Sequence, residues 1–216
     1  MALDKKKTPE PTLRRLPRYL HLLIRLMEGG RTEVSSTVIA KELNLDPTQV
    51  RKDIEYTEIT GKPKTGYNIA KLVDAIRNFL NWHIDKKAIL VGVGHLGTAM
   101  LGYSNFEKYG LHFIAAFDTN QKKIGTKVHN IPIYDLNDLP DIAKTHDVNY
   151  GILTVPPQYA QFVTEMMIEG GVRAIWNFAP TQVKVPDNVV LENAQLTQSL
   201  AVLSRKYVEL LEREVD

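Results

Sequence analysis

Apolar residues recur along this chain with a helical period in the first third and in short continuous runs after it. Leu13, Leu16, Leu20, Leu23, Ile24 and Met27 keep the three-and-four spacing of a helix with one buried face, and Gly29-Gly30 stops the run. Pro17 lies inside it and either begins the regular helix or kinks it. Ser35-Ser36 caps a second helix, Thr37 to Leu43, with Val38, Ile39 and Leu43 facing inward. Asp46 is the N-cap of a third, with Pro47 at its first helical position and Gln49 at the third position of a capping box. Only Asn44-Leu45 separates the second and third helices, which makes a helix-turn-helix. Thr60 to Tyr67 reads as a hairpin, the wing of a winged helix, or as a basic surface turn. Ile69 to Trp82 is an amphipathic helix leading to a boundary at Asp85-Lys86-Lys87.

Beyond the boundary, strand and helix signals alternate. Ala88 to Val91, Ile114 to Phe117, Ile131 to Tyr134, Asn149 to Val155, Ala174 to Phe178 and Val189 to Asn193 are strand-like; Leu136 to Ala143 and Gln158 to Glu169 are helical. That order predicts an α/β fold with a doubly wound parallel sheet. A last helix carries Leu196, Leu200, Leu203, Tyr207 and Leu210, a seam with a 3.5-residue period. It packs either on a partner chain or back on its own domain.

The first of these strands runs straight into Gly92-Val93-Gly94-His95-Leu96-Gly97. Glycines at this spacing after a strand and before a helix read as a Rossmann dinucleotide turn; the alternative is a tight strand-helix turn in an α/β sheet with no ligand. Gly92 turns the chain, Gly94 admits a pyrophosphate to the backbone, and Gly97 lets the helix pack close. Asp118 ends the next strand, 21 residues after Gly97, where a carboxylate that binds the adenosine ribose is expected. The carboxylate favours NAD over NADP, and Lys122 and Lys123 soften that choice. Thr154, Pro156 and Asn177 lie at later strand ends and are candidates for the nicotinamide side; the alternative is that these prolines only end strands.

Charge adds a partner. Residues 1–84 carry 15 Lys and Arg against 10 Asp and Glu, while residues 85–216 carry 12 against 15. A basic front on an acidic body points the front at a polyanion. The third helix offers Thr48, Gln49, Arg51 and Lys52 on the half that enters a DNA major groove, and Lys62 and Lys64 lie on the wing. The alternative is a plain three-helix bundle. The chain has no cysteine, and its six histidines form no metal-ligand pair, so no metal site is expected. Met1 to Lys7 is charged and precedes no secretory signal, so a cytoplasmic protein is expected. The one Tyr-x-x-x-Lys match, Tyr67 to Lys71, precedes the dinucleotide turn, and no acid-base pair suggests an enzyme. An NAD-dependent oxidoreductase with a basic appendage is the reading from another class.

Several motifs in one order resemble those of the Rex family of redox-sensing transcriptional repressors. They include Pro11 to Pro17, Val34-Ser35-Ser36, Gln49 to Asp53, Gly66-Tyr67-Asn68, Val91 to Gly97, Ala116-Phe117-Asp118, Leu153 to Pro156, Asn177 to Pro180 and Leu191-Glu192-Asn193. The resemblance implies a winged helix-turn-helix domain over 1–84, a Rossmann-like domain over 85–193 and a swapped helix over 194–216. It implies a homodimer that represses from an inverted-repeat operator and leaves it when NADH binds, with Tyr103 in the switch. This chain departs from the family at the wing, at His21 where relatives often carry arginine, and at Gln195-Leu196 where they carry Asp-Phe. A DNA-binding relative with a weakened redox response is the alternative those departures leave.

Overall fold

A computed structural model describes residues 8–63, 65–194 and 196–215. The chain divides after Ile84 into two compact units.

In the first unit, helix α1 (Glu10–Glu28) runs on through Pro17 and ends at Gly29. Its buried face is Leu16, Tyr19, Leu20, Leu22 and Leu23. A two-residue strand, β1 (Glu33–Val34), leads to α2 (Ser36–Leu43), where the Ser35 hydroxyl accepts from the Val38 N–H at 3.2 Å. Asn44 adopts a left-handed conformation (φ 53°), and α3 (Pro47–Glu55) follows at once. The Asp46 carboxylate caps α3 by accepting from the N–H groups of Thr48 and Gln49 at 2.7 and 3.0 Å. The expected reciprocal half of the capping box is replaced, because the Gln49 amide donates to Asp53 at 2.9 Å. The hairpin is small: Lys62 and Gly66 exchange two backbone bonds, and β2 (Tyr67–Asn68) pairs antiparallel with β1. Helix α4 (Ile69–Phe79) buries Ile69, Leu72, Val73 and Ile76. It ends short of Trp82, because Asn81 turns left-handed at φ 54°.

The second unit is a seven-stranded sheet. Its strands are β3 (Lys86–Val91), β4 (Leu111–Asp118), β5 (Lys127–Val128), β6 (Ile131–Asp135), β7 (Tyr150–Leu153), β8 (Ala174–Asn177) and β9 (Val190–Asn193). They lie in the order β5-β6-β4-β3-β7-β8-β9. All neighbours are parallel except β5 and β6, an edge hairpin the hydrophobic pattern does not reveal. From β3 the chain moves outward through β4 to β6, then crosses back to β7. That reversal creates the crevice in which such sheets bind ligands. Alternation along β3 feeds two cores: Ile89 and Val91 pack on the face covered by α7 (Leu139–Thr145) and α8 (Pro157–Glu169). Ala88 and Leu90 pack on the face covered by α5 (His95–Leu101) and the one-turn α6 (Asn105–Lys108). The helix expected over Leu136 to Ala143 is a 3₁₀ turn, Leu136–Asp138, that continues into α7.

Helix α9 (Leu196–Val215) closes the chain. Its seam stands in solvent, with Leu200, Leu203, Tyr207 and Leu210 all 50–65% exposed. No helix among the described residues is long and apolar enough to cross a membrane.

Candidate functional sites

The glycines after β3 do three different jobs. Gly92 sits at φ +98°, and a Cβ there would lie 2.7 Å from the Thr154 carbonyl oxygen. A Cβ on Gly97 would collide with the Gly92 carbonyl, so its absence seats α5 against the strand end. Gly94 differs: nothing lies within 4 Å of the Cβ position, and the space opens into a cavity. That opening at the middle glycine, beside the free N–H end of α5, is the form a pyrophosphate needs.

The cavity holds about 890 Å³, enough for a dinucleotide, and crosses the carboxyl ends of β3, β4, β6 and β7. Gly92, Gly94 and Leu96 line its centre; Asp118, Thr119, Gln121, Lys123, Asp135, Leu136 and Asn137 line one end; Thr154, Val155, Pro156, Phe178 and Pro180 line the other. Tyr159, Phe162 and Val163 add an apolar wall from α8.

Asp118 is tied into the turn. Its Oδ2 accepts from the Val93 N–H at 3.0 Å and from Lys123 at 3.2 Å, and its Oδ1 accepts from the Asn120 N–H at 2.9 Å. Lys123 also donates to the Val93 carbonyl at 2.6 Å. Of the other positions expected here, Thr154 and Pro156 line the cavity, while Val93, which is buried, and His95, which is exposed, do not. The Thr154 hydroxyl points at the carbonyls of Val91 and Gly92, at 2.9 and 2.8 Å, and braces the turn.

Asn177 corrects its sequence reading. Its side chain is buried outside the cavity, with the amide donating to the Thr181 carbonyl and to Asn193 Oδ1, both at 2.8 Å. Its Oδ1 accepts from the Ala179 N–H at 2.9 Å. It shapes the loop that carries Phe178 and Pro180, which line the cavity where Asn177 does not. The cavity-lining residues Asp135, Tyr159 and Phe162 belong to no sequence motif.

Tyr103 is half exposed and packs edge-on against Phe106, with ring centres 5.0 Å apart. Phe106 meets Trp176 at 5.9 Å, and Trp176 meets Phe178 at 4.7 Å. A continuous line of rings therefore joins the cavity wall to Tyr103.

In the first unit, Thr48, Arg51, Lys52 and Lys62 are exposed, and Arg51 donates to the Thr48 hydroxyl at 3.3 Å. Lys64 and Gln195 lie outside the described residues, and Leu196 only opens α9. Gln49 turns inward to a cluster that sequence reasoning missed. Asp53, fully buried on α3, accepts from Thr12 (2.9 Å), from Arg15 through Nε (2.6 Å) and Nη2 (2.8 Å), from Tyr19 (2.6 Å) and from Gln49 (2.9 Å). Burial pushes this carboxyl up, but the bonds from Arg15, Tyr19, Thr12 and Gln49 outweigh it and hold the pKa below the usual range. Thr12, Arg15 and Tyr19 follow one face of α1, so the cluster locks the exposed helix α3 onto α1.

Residues 7–54 match the family model for a putative DNA-binding protein N-terminus, and residues 83–181 that for a CoA binding domain. The redox-sensing transcriptional repressor Rex of Treponema denticola is 44% identical over 203 residues, which span 93% of this chain and 96% of that protein. That of Bacteroides thetaiotaomicron is 43% identical over 93% of this chain and 91% of its own length. Among solved structures, RSP in complex with β-NAD⁺ and operator DNA superposes with a TM-score of 0.89 at 31% identity, covering 97% of both chains. RSP in complex with β-NADH superposes at 0.88 with the same identity, over 98% of this chain and all of that one. With two relatives above 40% identity along nearly their whole length, and with the glycine turn and the helix-turn-helix both in place, this chain belongs to the Rex family of redox-sensing transcriptional repressors.

Proposed function

We propose that this chain represses transcription by binding operator DNA through its first unit and lets go when NADH fills the cavity of its second. The observation that carries this reading is the open Gly94 turn beside Asp118, in a chain that also presents a helix-turn-helix with exposed Arg51 and Lys52. NAD⁺ and NADH are its ligands, and it acts as a regulator rather than as an oxidoreductase, like the Rex relatives. Gly92, Gly94 and Leu96 hold the pyrophosphate, Asp118 the adenosine ribose, and Thr154 and Pro156 flank the nicotinamide.

Arg51 reads base edges, while Thr48, Lys52, Lys62 and Lys64 fix the protein on phosphates. Gln49 serves this face by orienting α3 through Asp53. The exposed seam of α9 supports a homodimer, since 50–65% exposure at four seam positions is more apolar surface than a monomer usually leaves in water. A two-fold dimer matches an inverted repeat. The ring line from Phe178 to Tyr103 supports a role for Tyr103 in carrying the nucleotide signal outward.

The test is fluorescence anisotropy of the full chain on a palindromic operator-like duplex at fixed salt, because phosphate contacts make affinity salt-dependent. NADH should weaken binding and NAD⁺ should not. Tight binding indifferent to both would refute the redox response, and no specific binding would refute repression.

A further inference from the structure

The strand order lays out the nucleotide, and this inference rests on the NADH reading above. Neighbouring strands lie about 4.8 Å apart. The glycine turn for the pyrophosphate follows β3, and Asp118 for the ribose ends β4. A base attached to that ribose reaches the end of the next strand outward, β6, where Asp135 stands directly across from Asp118 in the parallel register.

The two carboxylates differ in what they have left to offer. Asp118 is paired with Lys123 and accepts from two backbone N–H groups. Asp135 accepts from the backbone and side chain of Asn137, both at 2.9 Å, and both on Oδ1. Among the described residues no donor reaches its Oδ2 and no cation pairs with it, yet Asp135 lines the cavity. Leu136 beside it, and Phe162 and Val163 from α8, line the same cavity with flat or branched apolar surface, suited to the faces of an aromatic base.

We infer that Asp135 reads the 6-amino group of the adenine and makes this cavity selective for an adenine dinucleotide over its 6-oxo counterpart. The 6-amino group donates a hydrogen bond to the waiting carboxylate. A 6-oxo group puts an acceptor against an anion and leaves both unpaired, the mismatch that polar sites reject most strongly.

The experiment titrates the full chain with NADH and with reduced nicotinamide hypoxanthine dinucleotide, following dihydronicotinamide fluorescence. The native chain should bind NADH at least about tenfold more tightly. In Asp135→Asn the side-chain oxygen keeps its bond to the Asn137 N–H, so the 3₁₀ cap survives and an N–H now faces the base. The preference should fall to parity or reverse. Asp135→Ser keeps a capping oxygen without the charge and should lose the preference too. Asp138→Asn, an exposed neighbour outside the cavity, should leave it unchanged. Equal affinity of the native chain for both dinucleotides would overturn the inference, as would a preference that survives in Asp135→Asn. Failure of the native chain to bind NADH at all would instead overturn the nucleotide reading on which it rests.

Discussion

Replacing Asp53 by asparagine should loosen the whole first unit while leaving the second intact. Five donated hydrogen bonds converge on the two oxygens of Asp53, and the residue is fully buried. Asparagine keeps the shape but turns one oxygen into a donor. If the amide nitrogen faces Arg15 Nε and Tyr19, two donors lose their acceptor; if it faces Thr12, Arg15 Nη2 and Gln49, up to three do. Arg15, only 20% exposed in its side chain, also loses its counter-charge. Removing one partner of a buried pair costs about 3–5 kcal/mol, a large share of the roughly 5–15 kcal/mol that holds a typical domain together. Tyr19→Phe removes a single bond to a charged acceptor and should cost about 1.5–3 kcal/mol. The assay is urea unfolding followed by Trp82, which packs against the first unit's core, in a Trp176→Phe background that silences the only other tryptophan. Acid gives an independent check. A carboxyl whose folded pKa is depressed contributes fully above its unfolded value of about 3.9 and loses that contribution as pH falls through the lower folded value. The native first unit should therefore lose stability steeply below about pH 4, and Asp53→Asn should lack that step. A cost under about 1 kcal/mol for Asp53→Asn, small against the penalty for breaking a buried pair, would refute the cluster as the lock on α3.

Gly94→Ala should weaken NADH binding without lowering the melting temperature, since its Cβ meets only open cavity, whereas Gly97→Ala should destabilise the second unit by clashing with the Gly92 carbonyl. Thermal melts with and without NADH separate the two. Arg51→Ala should abolish discrimination between operator and random duplex, a loss of about 1–3 kcal/mol at the base it reads, while the NADH titration stays unchanged; equal loss of both affinities would contradict separate roles for the two units. Leu203→Glu on the α9 seam should shift the sedimentation coefficient from dimer toward monomer, and an unaltered dimer would remove α9 from the interface.

The sequence revealed those parts of this molecule where local rules decide the outcome. The Ser35 and Asp46 caps, the break at Gly29 and the glycine turn each rest on residues within a few positions, and each forms as expected. The sheet order was less legible, because β5 is a two-residue edge whose pairing is set by the turn at His129-Asn130 and not by its own pattern. Long-range polar chemistry was hidden. Asp53 and Arg15 are 38 positions apart and look like ordinary charged residues in helices, and nothing local says that one is fully buried. Asn177 misled for the same reason: its place at a strand end suggested a ligand contact, but its partners Thr181 and Asn193 saturate it inside the fold. Asp135 carries no sequence signal, because no glycine turn at a fixed spacing precedes it as one precedes Asp118.

Under the proposed function the two ends of the cavity have different duties in a redox response. NAD⁺ and NADH share the same adenosine, ribose and pyrophosphate, so Asp118, Asp135 and the glycine turn meet identical atoms in both forms. Changes there move both affinities by the same factor and leave the ratio alone. The forms differ only at the nicotinamide, which carries a positive charge when oxidised and none when reduced. The walls at that end are Thr154, Val155, Pro156, Phe178 and Pro180, with no carboxylate among them, and the Thr154 hydroxyl is spent on the Val91 and Gly92 carbonyls. Taking a cation out of water into apolar surroundings without a counter-charge is costly, and a neutral ring avoids that cost. On this reading the expected preference is for NADH, set at the ends of β7 and β8. Phe178 belongs to that wall and also begins the line of rings to Tyr103, so under the proposed function the residue beside the redox-active ring is also the one placed to pass its presence on. Phe178→Asp should then raise NAD⁺ affinity relative to NADH, read by competition of NAD⁺ against bound NADH, whereas Asp118→Asn should lower both together. A ratio that responds to Asp118 and ignores Phe178 would place redox sensing at the wrong end of the cavity and refute this division.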